Sequence, residues 1–150
     1  MIAITDYMTT DLHTLRPEDT LYSARKLMME ANIRHIPIVN SAGELVGLVT
    51  HRDVLSAADS DLSTIRDQER LDRENEVPLS QVMTTGLMSV DETVGLRAAA
   101  LHLQKYKHGC LPVIGKDGRL VGIITDSDYV AIAINLLEQV EETDVDDVDL

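Results

Sequence analysis

The sequence predicts a mixed α/β fold (α+β) of two β-α-β-β-α repeats that are related by a pseudo-two-fold axis. One observation behind this prediction is an internal repeat, since residues 8–58 and 83–133 are identical at 14 of 51 positions without a gap. A second observation is that each copy alternates between helical and strand periodicity. The third is size, because one unit of about 50 residues with three short strands buries little surface alone. Two copies packed face to face would bury both apolar sheet faces.

Each copy begins with a short strand and an amphipathic helix. The strands are predicted at residues 13–15 and 88–90. The helices are indicated by apolar side chains on one helical face: Leu21, Ala24, Leu27, Met28 and Ala31 in the first copy, and Leu96, Ala99, Ala100 and Leu103 in the second. Asp19 or Thr20 is expected to cap the first helix, and Thr93 the second.

A β-hairpin and a second helix follow in each copy. The apolar strands of the hairpins are residues 36–39 and 45–49 in the first copy and residues 111–114 and 120–124 in the second. The turns between them contain Gly43 and Gly118, which suits a tight hairpin connection. Helices are predicted to start near Thr50 and near Thr125, directly after the last strand of each copy.

Charge and sequence pattern divide the chain into four segments. Residues 1–58 form the first repeat and residues 80–137 the second. Residues 59–79 between them are rich in acids and arginine, and they are predicted to be a polar helical connector that Pro78 ends. Residues 138–150 hold seven acids and no base. Within this acidic C-terminal tail, residues 144–149 are predicted to be disordered.

Composition excludes several classes of function. A net charge of −13, with four Tyr and no Phe or Trp, argues against binding to nucleic acid. We expect a cytoplasmic protein without a membrane partner, because no apolar run could span a bilayer and no signal peptide is recognisable. The single cysteine, Cys110, excludes an intrachain disulfide. No metal is expected, since the five His lack metal-ligand spacing. No oriented base can be placed beside a nucleophile, so we expect no catalytic residues and no enzyme.

The pattern Thr-x-x-Asp stands at the start of the last helix in both copies, as Thr50 to Asp53 and as Thr125 to Asp128. One interpretation is a capping box, in which the two side chains satisfy free N–H groups of the first turn. The other is a ligand site, because a carboxylate can accept both hydroxyls of a ribose diol. The Thr hydroxyl and the free N–H groups could then receive a phosphate.

The ordered set of repeated motifs resembles the cystathionine-β-synthase (CBS) domain, here as a tandem pair or Bateman module. The motifs of the first copy are MTT at residues 8–10, IRHIPIV at 33–39 and GLVTHRD at 47–53. Those of the second copy are MTT at residues 83–85, HGCLPVI at 108–114 and GIITDSD at 122–128. The resemblance covers roughly residues 1–137.

The resemblance implies which residues contact a ligand. In that family the Asp holds a ribose, the Thr lies near phosphate, and adenine packs between apolar strands beside the residue before the Pro. The residues implied in the first copy are Thr10, Arg34, His35, Ile36, Pro37, Thr50, His51, Arg52 and Asp53. Those implied in the second copy are Thr85, Cys110, Leu111, Pro112, Thr125 and Asp128.

The resemblance also implies a function. It indicates a non-catalytic regulatory module that senses an adenosine-containing ligand: AMP, ADP, ATP, S-adenosylmethionine or a dinucleotide. No obligatory cofactor is expected. The module would act as a homodimer upon an unknown regulated protein, with the apolar helix of residues 130–137 as a candidate dimer contact. The alternative is a structural dimerisation or scaffold module with empty sites.

The two copies differ where a phosphate would lie. Arg34, His51 and Arg52 surround the first motif, whereas Asp126 flanks the second. Cations stabilise a neighbouring phosphate and an acid repels it. An anionic phosphate chain is therefore expected to prefer the Asp53 site.

Overall fold

The architecture, obtained as a computed structural model, is described for residues 1–59, 67–107 and 109–148. The elements of the first repeat are a 3₁₀ turn at Ile4–Asp6, α1 (Leu21–Ala31), β1 (His35–Val39), β2 (Leu45–Thr50) and α2 (His51–Asp59). The connector contributes α3 (Asp67–Glu76). The second repeat consists of a 3₁₀ turn at Leu79–Gln81, β3 (Val90–Asp91), α4 (Leu96–Tyr106), β4 (Cys110–Ile114), β5 (Leu120–Thr125) and α5 (Asp126–Val148). The predicted mixed fold of two similar repeats is confirmed.

The two hairpins have the same register, but the first strands of the repeats differ. β1 pairs with β2 and β4 with β5, both antiparallel, and β3 pairs with β4 in parallel. In the first repeat only Leu15 pairs with the hairpin, as a single parallel bridge to Ile38. The predicted strand at residues 13–15 is therefore reduced to one bridge. Asp19 Oδ2 accepts from the Arg16 N–H at 2.7 Å, and Pro17 has no N–H, so the chain turns away from the sheet.

Only one of the predicted helix caps is confirmed. Thr20 caps α1, and its side chain accepts a hydrogen bond from the Ser23 N–H at 3.3 Å. The prediction for Thr93 is wrong, because α4 is preceded by Gly95 as N-cap residue. The Thr93 N–H and hydroxyl instead donate to Asp91 Oδ1 at 2.9 and 2.7 Å, which closes a local turn ahead of the helix.

Each repeat is completed by the segment that leads into the other repeat. Residues 2–9, the leading segment of the first repeat, contact the second repeat, and residues 77–84, the leading segment of the second repeat, contact the first. The second leading segment thus begins within the predicted connector. The Leu96 N–H at the start of α4 donates to the carbonyl of Ile2 at 2.8 Å. At the equivalent place in the first repeat, the Leu21 N–H donates to the carbonyl of Val77 at 2.9 Å. The repeats therefore exchange their leading segments across the pseudo-two-fold axis.

This exchange explains two repeated residue types, Gly and Met. A Cβ at Gly47 would lie 2.5 Å from Met83 Sδ, and a Cβ at Gly122 would lie 2.5 Å from Met8 Sδ. A side chain at either glycine would push aside the methionine of the opposite leading segment that covers the strand. The repeated Gly and Met residues are thus the two halves of one packing contact.

The hydrophobic interior consists of two clusters, one for each repeat. The buried residues of the first are Leu21, Ala24, Met28, Ile36, Ile38, Val49, Val54 and Leu79. Those of the second are Ile4, Val90, Leu96, Ala99, Leu111, Val113 and Ile124. Leu79 and Ile4 are the exchanged members, so neither core is complete with the residues of its own repeat.

The connector is anchored on α1 by an ion pair. Glu74 of α3 is buried, and its Oε2 lies 2.6 Å from Nη2 of Arg25. A buried carboxylate needs such a partner, because leaving water is costly for an unpaired charge. The predicted polar connector thus contains a helix over residues 67–76, while residues 60–66 lie outside the described part of the chain.

The acidic tail continues α5. The prediction that residues 144–149 are disordered is wrong as far as Val148, where the helix ends; residues 149 and 150 lie outside the described residues. Leu, Glu and Gln after Ile134 are good helix formers, and they extend a helix whose first turns already pack on the second core. Among the residues described, every helix is either too short or too polar to serve as a membrane-spanning segment.

Candidate functional site

A cleft of about 1320 Å³ runs between the two repeats, where α2 and α5 begin. The end of α1, the start of β1 and the first turn of α2 line one side of it. The end of α4, the end of β5 and the first turn of α5 line the other side. Thr9, Thr84 and residues 11–13 also line the cleft. The motifs that recur 75 residues apart in sequence therefore face one shared space.

Both Thr-x-x-Asp motifs are capping boxes. In α2 the Thr50 N–H donates to Asp53 Oδ2 at 2.9 Å, and the Asp53 N–H donates to Thr50 Oγ1 at 3.1 Å. In α5 the matching distances between Thr125 and Asp128 are 2.8 and 3.3 Å. The capping interpretation is confirmed, but it uses only Oδ2 of each carboxylate. Oδ1 of Asp53 and of Asp128 accepts no hydrogen bond from any described residue, which leaves one acceptor of each carboxylate available beside the cleft.

The exchange of leading segments changes which threonines reach the cleft. Thr84 belongs to the second repeat, yet its hydroxyl lies 3.4 Å from Asp53 Oδ2 in the first. Thr9 pairs with Ile123 of β5 and so lies in the second repeat. The expected ligand contacts Thr10 and Thr85 are exposed and do not line the cleft. Sequence comparison missed Thr9 and Thr84, because a repeat offset does not show which repeat a leading segment will join.

Five other predicted contact residues have buried side chains: Ile36, Pro37, Cys110, Leu111 and Pro112. None of them lines the cleft. Ile36 and Leu111 belong to the hydrophobic clusters, because alternate residues of a strand turn toward the core. The geometry gives these side chains a packing role, so contact of their backbone with a ligand stays a prediction.

The remaining predicted contacts of the first repeat do line the cleft: Arg34, His35, Thr50, His51, Arg52 and Asp53. The second repeat contributes Thr125 and Asp128 as predicted, and also Lys107, Gly109, Asp126 and Ser127. The predicted asymmetry in charge is therefore present in the cleft.

The two sides of the cleft approach each other closely at Gly109. A Cβ on Gly109 would lie 3.2 Å from His35 Nε2 and 3.3 Å from Asp126 Oδ2. Gly109 has a φ of +73°, which favours glycine, and a side chain here would also meet both polar groups. A histidine of the first repeat and a carboxylate of the second thus meet over this glycine.

Burial and the nearby carboxylates both act on two side chains beneath the second side of the cleft. Burial, together with the charges of Asp128 and Asp126, raises the pKa of the Cys110 thiol to about 12. Burial and Asp128 likewise raise the pKa of Tyr129 to about 12, and its hydroxyl donates to the carbonyl of Leu96 at 2.7 Å. Cys110 is therefore a protonated, buried thiol at neutral pH, which suits packing and not nucleophilic chemistry.

Among the described residues, no three His, Cys, Asp or Glu side chains cluster in a way that could hold a metal ion. His108, one of the five histidines, lies outside the described residues.

Known structures share this fold. The protein AcuB of Vibrio cholerae is 48% identical, with a TM-score of 0.77, and the match covers 95% of this chain and 97% of that one. CBSX2 of Arabidopsis thaliana in complex with AMP is 27% identical, with a TM-score of 0.75, covering 91% and 98%. The CBS domain pair of protein MJ0100, in complex with 5′-methylthioadenosine and S-adenosylmethionine, is 25% identical, with a TM-score of 0.70, covering 87% and 98%.

Sequence relatives agree with the structural ones. A CBS domain-containing protein of Dictyostelium discoideum is 30% identical over 139 residues, which span 93% of this chain and 96% of that protein. The family model of the CBS domain matches twice, at residues 4–60 and 79–134. With its two motif sets, exchanged leading segments and shared cleft, this chain belongs to the CBS domain family and carries that domain as a tandem pair.

Proposed function

We propose that this chain is a non-catalytic regulatory module that binds an adenosine-containing ligand in the cleft between its repeats. The observation that carries the proposal is the pair of Asp carboxylates beside that cleft, each held by a capping box and each keeping Oδ1 available. The complexes of CBSX2 with AMP and of MJ0100 with adenosine derivatives support this ligand class. AMP, ADP, ATP, S-adenosylmethionine and a dinucleotide all contain the required ribose.

Different residues of the cleft would bind the ribose, the phosphate and the adenine of such a ligand. Asp53 and Asp128 would accept hydrogen bonds from ribose hydroxyls, which a fixed carboxylate can do without reorganising. Arg34 and Arg52 are exposed at the cleft wall and would pair with phosphate oxygens. The adenine would lie against the backbone of the strands near Ile36 and Leu111. These roles follow the family pattern at matching positions of this chain.

A homodimer would allow the module to transmit ligand binding to another protein. Val130, Ile134 and Leu137 lie on neighbouring turns of α5 and are 59, 53 and 58% exposed. An apolar stripe of this kind on an exposed helix suits contact with a second copy. We propose a homodimer through α5 in which a ligand that prefers one arrangement of the cleft shifts the dimer geometry. An unknown regulated protein, expected in the cytoplasm, would read that shift.

Light scattering tests the dimer. We expect about twice the chain mass of 16.6 kDa at tens of micromolar protein. The double variant Ile134→Glu/Leu137→Glu should be monomeric, because four buried charges per dimer would be unpaired. Gln139→Glu adds one charge to α5 outside the stripe and is the matched control. A wild-type monomer would contradict the proposed dimer.

Thermal shift with a panel of adenosine compounds tests the ligand. A ligand at one hundred times its dissociation constant adds about 2.7 kcal/mol to the stability of the folded state, which is several degrees in a domain of this size. Mass spectrometry of what the protein retains from a nucleotide mixture would identify the compound. If no compound raises the melting temperature while the dimer is intact, the result would favour the alternative, a structural dimerisation module with empty sites.

A further inference from the structure

We propose that the two halves of the cleft select ligands of different charge, and that Asp126 determines the selectivity of the second half. The first half-site is the part of the cleft around Asp53, and the second is the part around Asp128. The second half-site would take an adenosine whose 5′ substituent carries no negative charge. The inference rests on the proposed binding of adenosine-containing ligands and adds the chemical class for one half-site.

The lining charges of the half-sites are opposite in sign. On the first-repeat side, Arg34 and Arg52 place two guanidinium groups near the carboxylate of Asp53. A further carboxylate, Asp11, lines the cleft two residues after the bridge between Thr9 and Ile123. On the second-repeat side, Asp126 and Asp128 place two carboxylates beside the single ammonium group of Lys107. A phosphate at the first half-site therefore gains charge-assisted hydrogen bonds, whereas a phosphate at the second meets a net negative wall.

Asp126 also occupies the place where a phosphate would bind. Its Oδ1 accepts a hydrogen bond from the Ser127 N–H at 2.9 Å, so α5 carries its own anion at its N-terminus. At the equivalent place in α2, the Arg52 N–H has no hydrogen-bond partner among the described residues. The first helix thus keeps a free donor for a ligand, while the second has already used the equivalent donor.

Several groups of the cleft surround the Asp126 carboxylate. His35 and the backbone of Gly109 face Asp126 Oδ2, and Lys107 lines the same side of the cleft. Together with burial, the negative charges of Asp128 and Asp126 raise the pKa of the neighbouring Cys110 thiol. Their field therefore reaches the interior of the second half-site as well as its surface.

Adenosine and AMP are the sharpest probes, because they differ only in the phosphate. By calorimetry, AMP should bind the wild type at one site per chain. With the first half-site saturated by AMP, adenosine should still bind once, about tenfold tighter than a second AMP. Asp126→Asn keeps Oδ1 for the Ser127 cap and removes the charge. This variant should bind the second AMP molecule about tenfold more tightly than the wild type does, and its affinity for adenosine should change less than about twofold.

Asp117→Asn is the matched control, because it removes the same charge from an exposed turn of the second repeat outside the cleft. Its affinity for the second AMP molecule should be as low as that of the wild type. Two equivalent AMP molecules on the wild type would overturn the charge selection while upholding the proposed function. An unchanged second AMP in a folded Asp126→Asn variant would overturn the role of Asp126 in the same way. Binding of neither AMP nor adenosine would overturn both proposals.

Discussion

The first turns of α2 and α5 share one backbone and one cap but carry opposite charges. The Thr-x-x-Asp box has the same reciprocal hydrogen bonds in both helices. The two residues inside the box are His51 and Arg52 in α2, and Asp126 and Ser127 in α5. Since the capped first turns are alike, we expect a difference in ligand preference between the half-sites to come from these side chains, from Arg34, whose counterpart is Gly109, and from Lys107, whose counterpart is Asn32.

Residues that are identical in both repeats report mainly on folding. Gly47 and Gly122 recur because a methionine of the other repeat covers each of them. The Thr-x-x-Asp box recurs because each helix needs a cap, whether or not a ligand binds. Identity between the repeats therefore reports mainly on the shared backbone path. Residues that differ at equivalent cleft positions carry the information about the ligand.

Alanine substitutions at two equivalent core residues test whether the repeats are equivalent in packing. Ile4 and Leu79 occupy equivalent positions, both are 0% exposed, and each completes the core of the other repeat. Ile4→Ala and Leu79→Ala should each lower the free energy of unfolding by about 2–5 kcal/mol, measured by urea denaturation. Ile2→Ala, at a residue 53% exposed in the same leading segment, should change it little. A small effect of Ile4→Ala would show that the exchange of leading segments is not needed for stability.

The second effect separates the half-sites by binding. Asp53→Ala should weaken AMP binding ten- to a hundredfold, since a charge-assisted hydrogen bond is worth about 1.5–3 kcal/mol, and Asp128→Ala should weaken it much less. Both variants lose a capping box, so both should lose about 1 kcal/mol of stability. Calorimetry at a temperature where both remain folded measures the binding difference. The reverse order of effects would show that adenine packing and ribose contacts outweigh phosphate charge.

The fold and part of the site could be predicted from the sequence because the repeat is dense in local signals. Helical periodicity, the glycine turns and the Thr-x-x-Asp caps depend on neighbours within a few residues, so they hold without knowledge of the packing. The same signals could not show that Thr84 would meet Asp53, because that contact depends on how two leading segments cross between the repeats. They also could not show that the side chains of Ile36 and Leu111 turn away from the cleft.

The prediction of disorder in the acidic tail failed for a different reason. Residues 138–150 have the composition of a disordered segment, but composition ignores the helix that precedes it. A docked helix supplies the costly first turn, after which each added residue needs only its own hydrogen bond. The last helices of the repeats accordingly differ in length, with 9 residues in α2 and 23 in α5.

The difference in helix length predicts that truncation of the end of α5 has only a small effect on stability. Removal of residues 141–150 should shift the melting temperature by less than about 2 °C, because residues 133–143 are exposed and pack on neither core. The cut removes six acids, so weaker self-repulsion works slightly in favour of the folded state at low salt. AMP affinity should stay unchanged, since no residue beyond Val130 lines the cleft within the described part of the chain. Removal of residues 131–150 is the matched comparison and should destabilise the fold, because it takes Ile132 from the second core. A large drop in melting temperature after the shorter cut would show that the extension of α5 docks against something, with the second copy in the dimer as the first surface to examine.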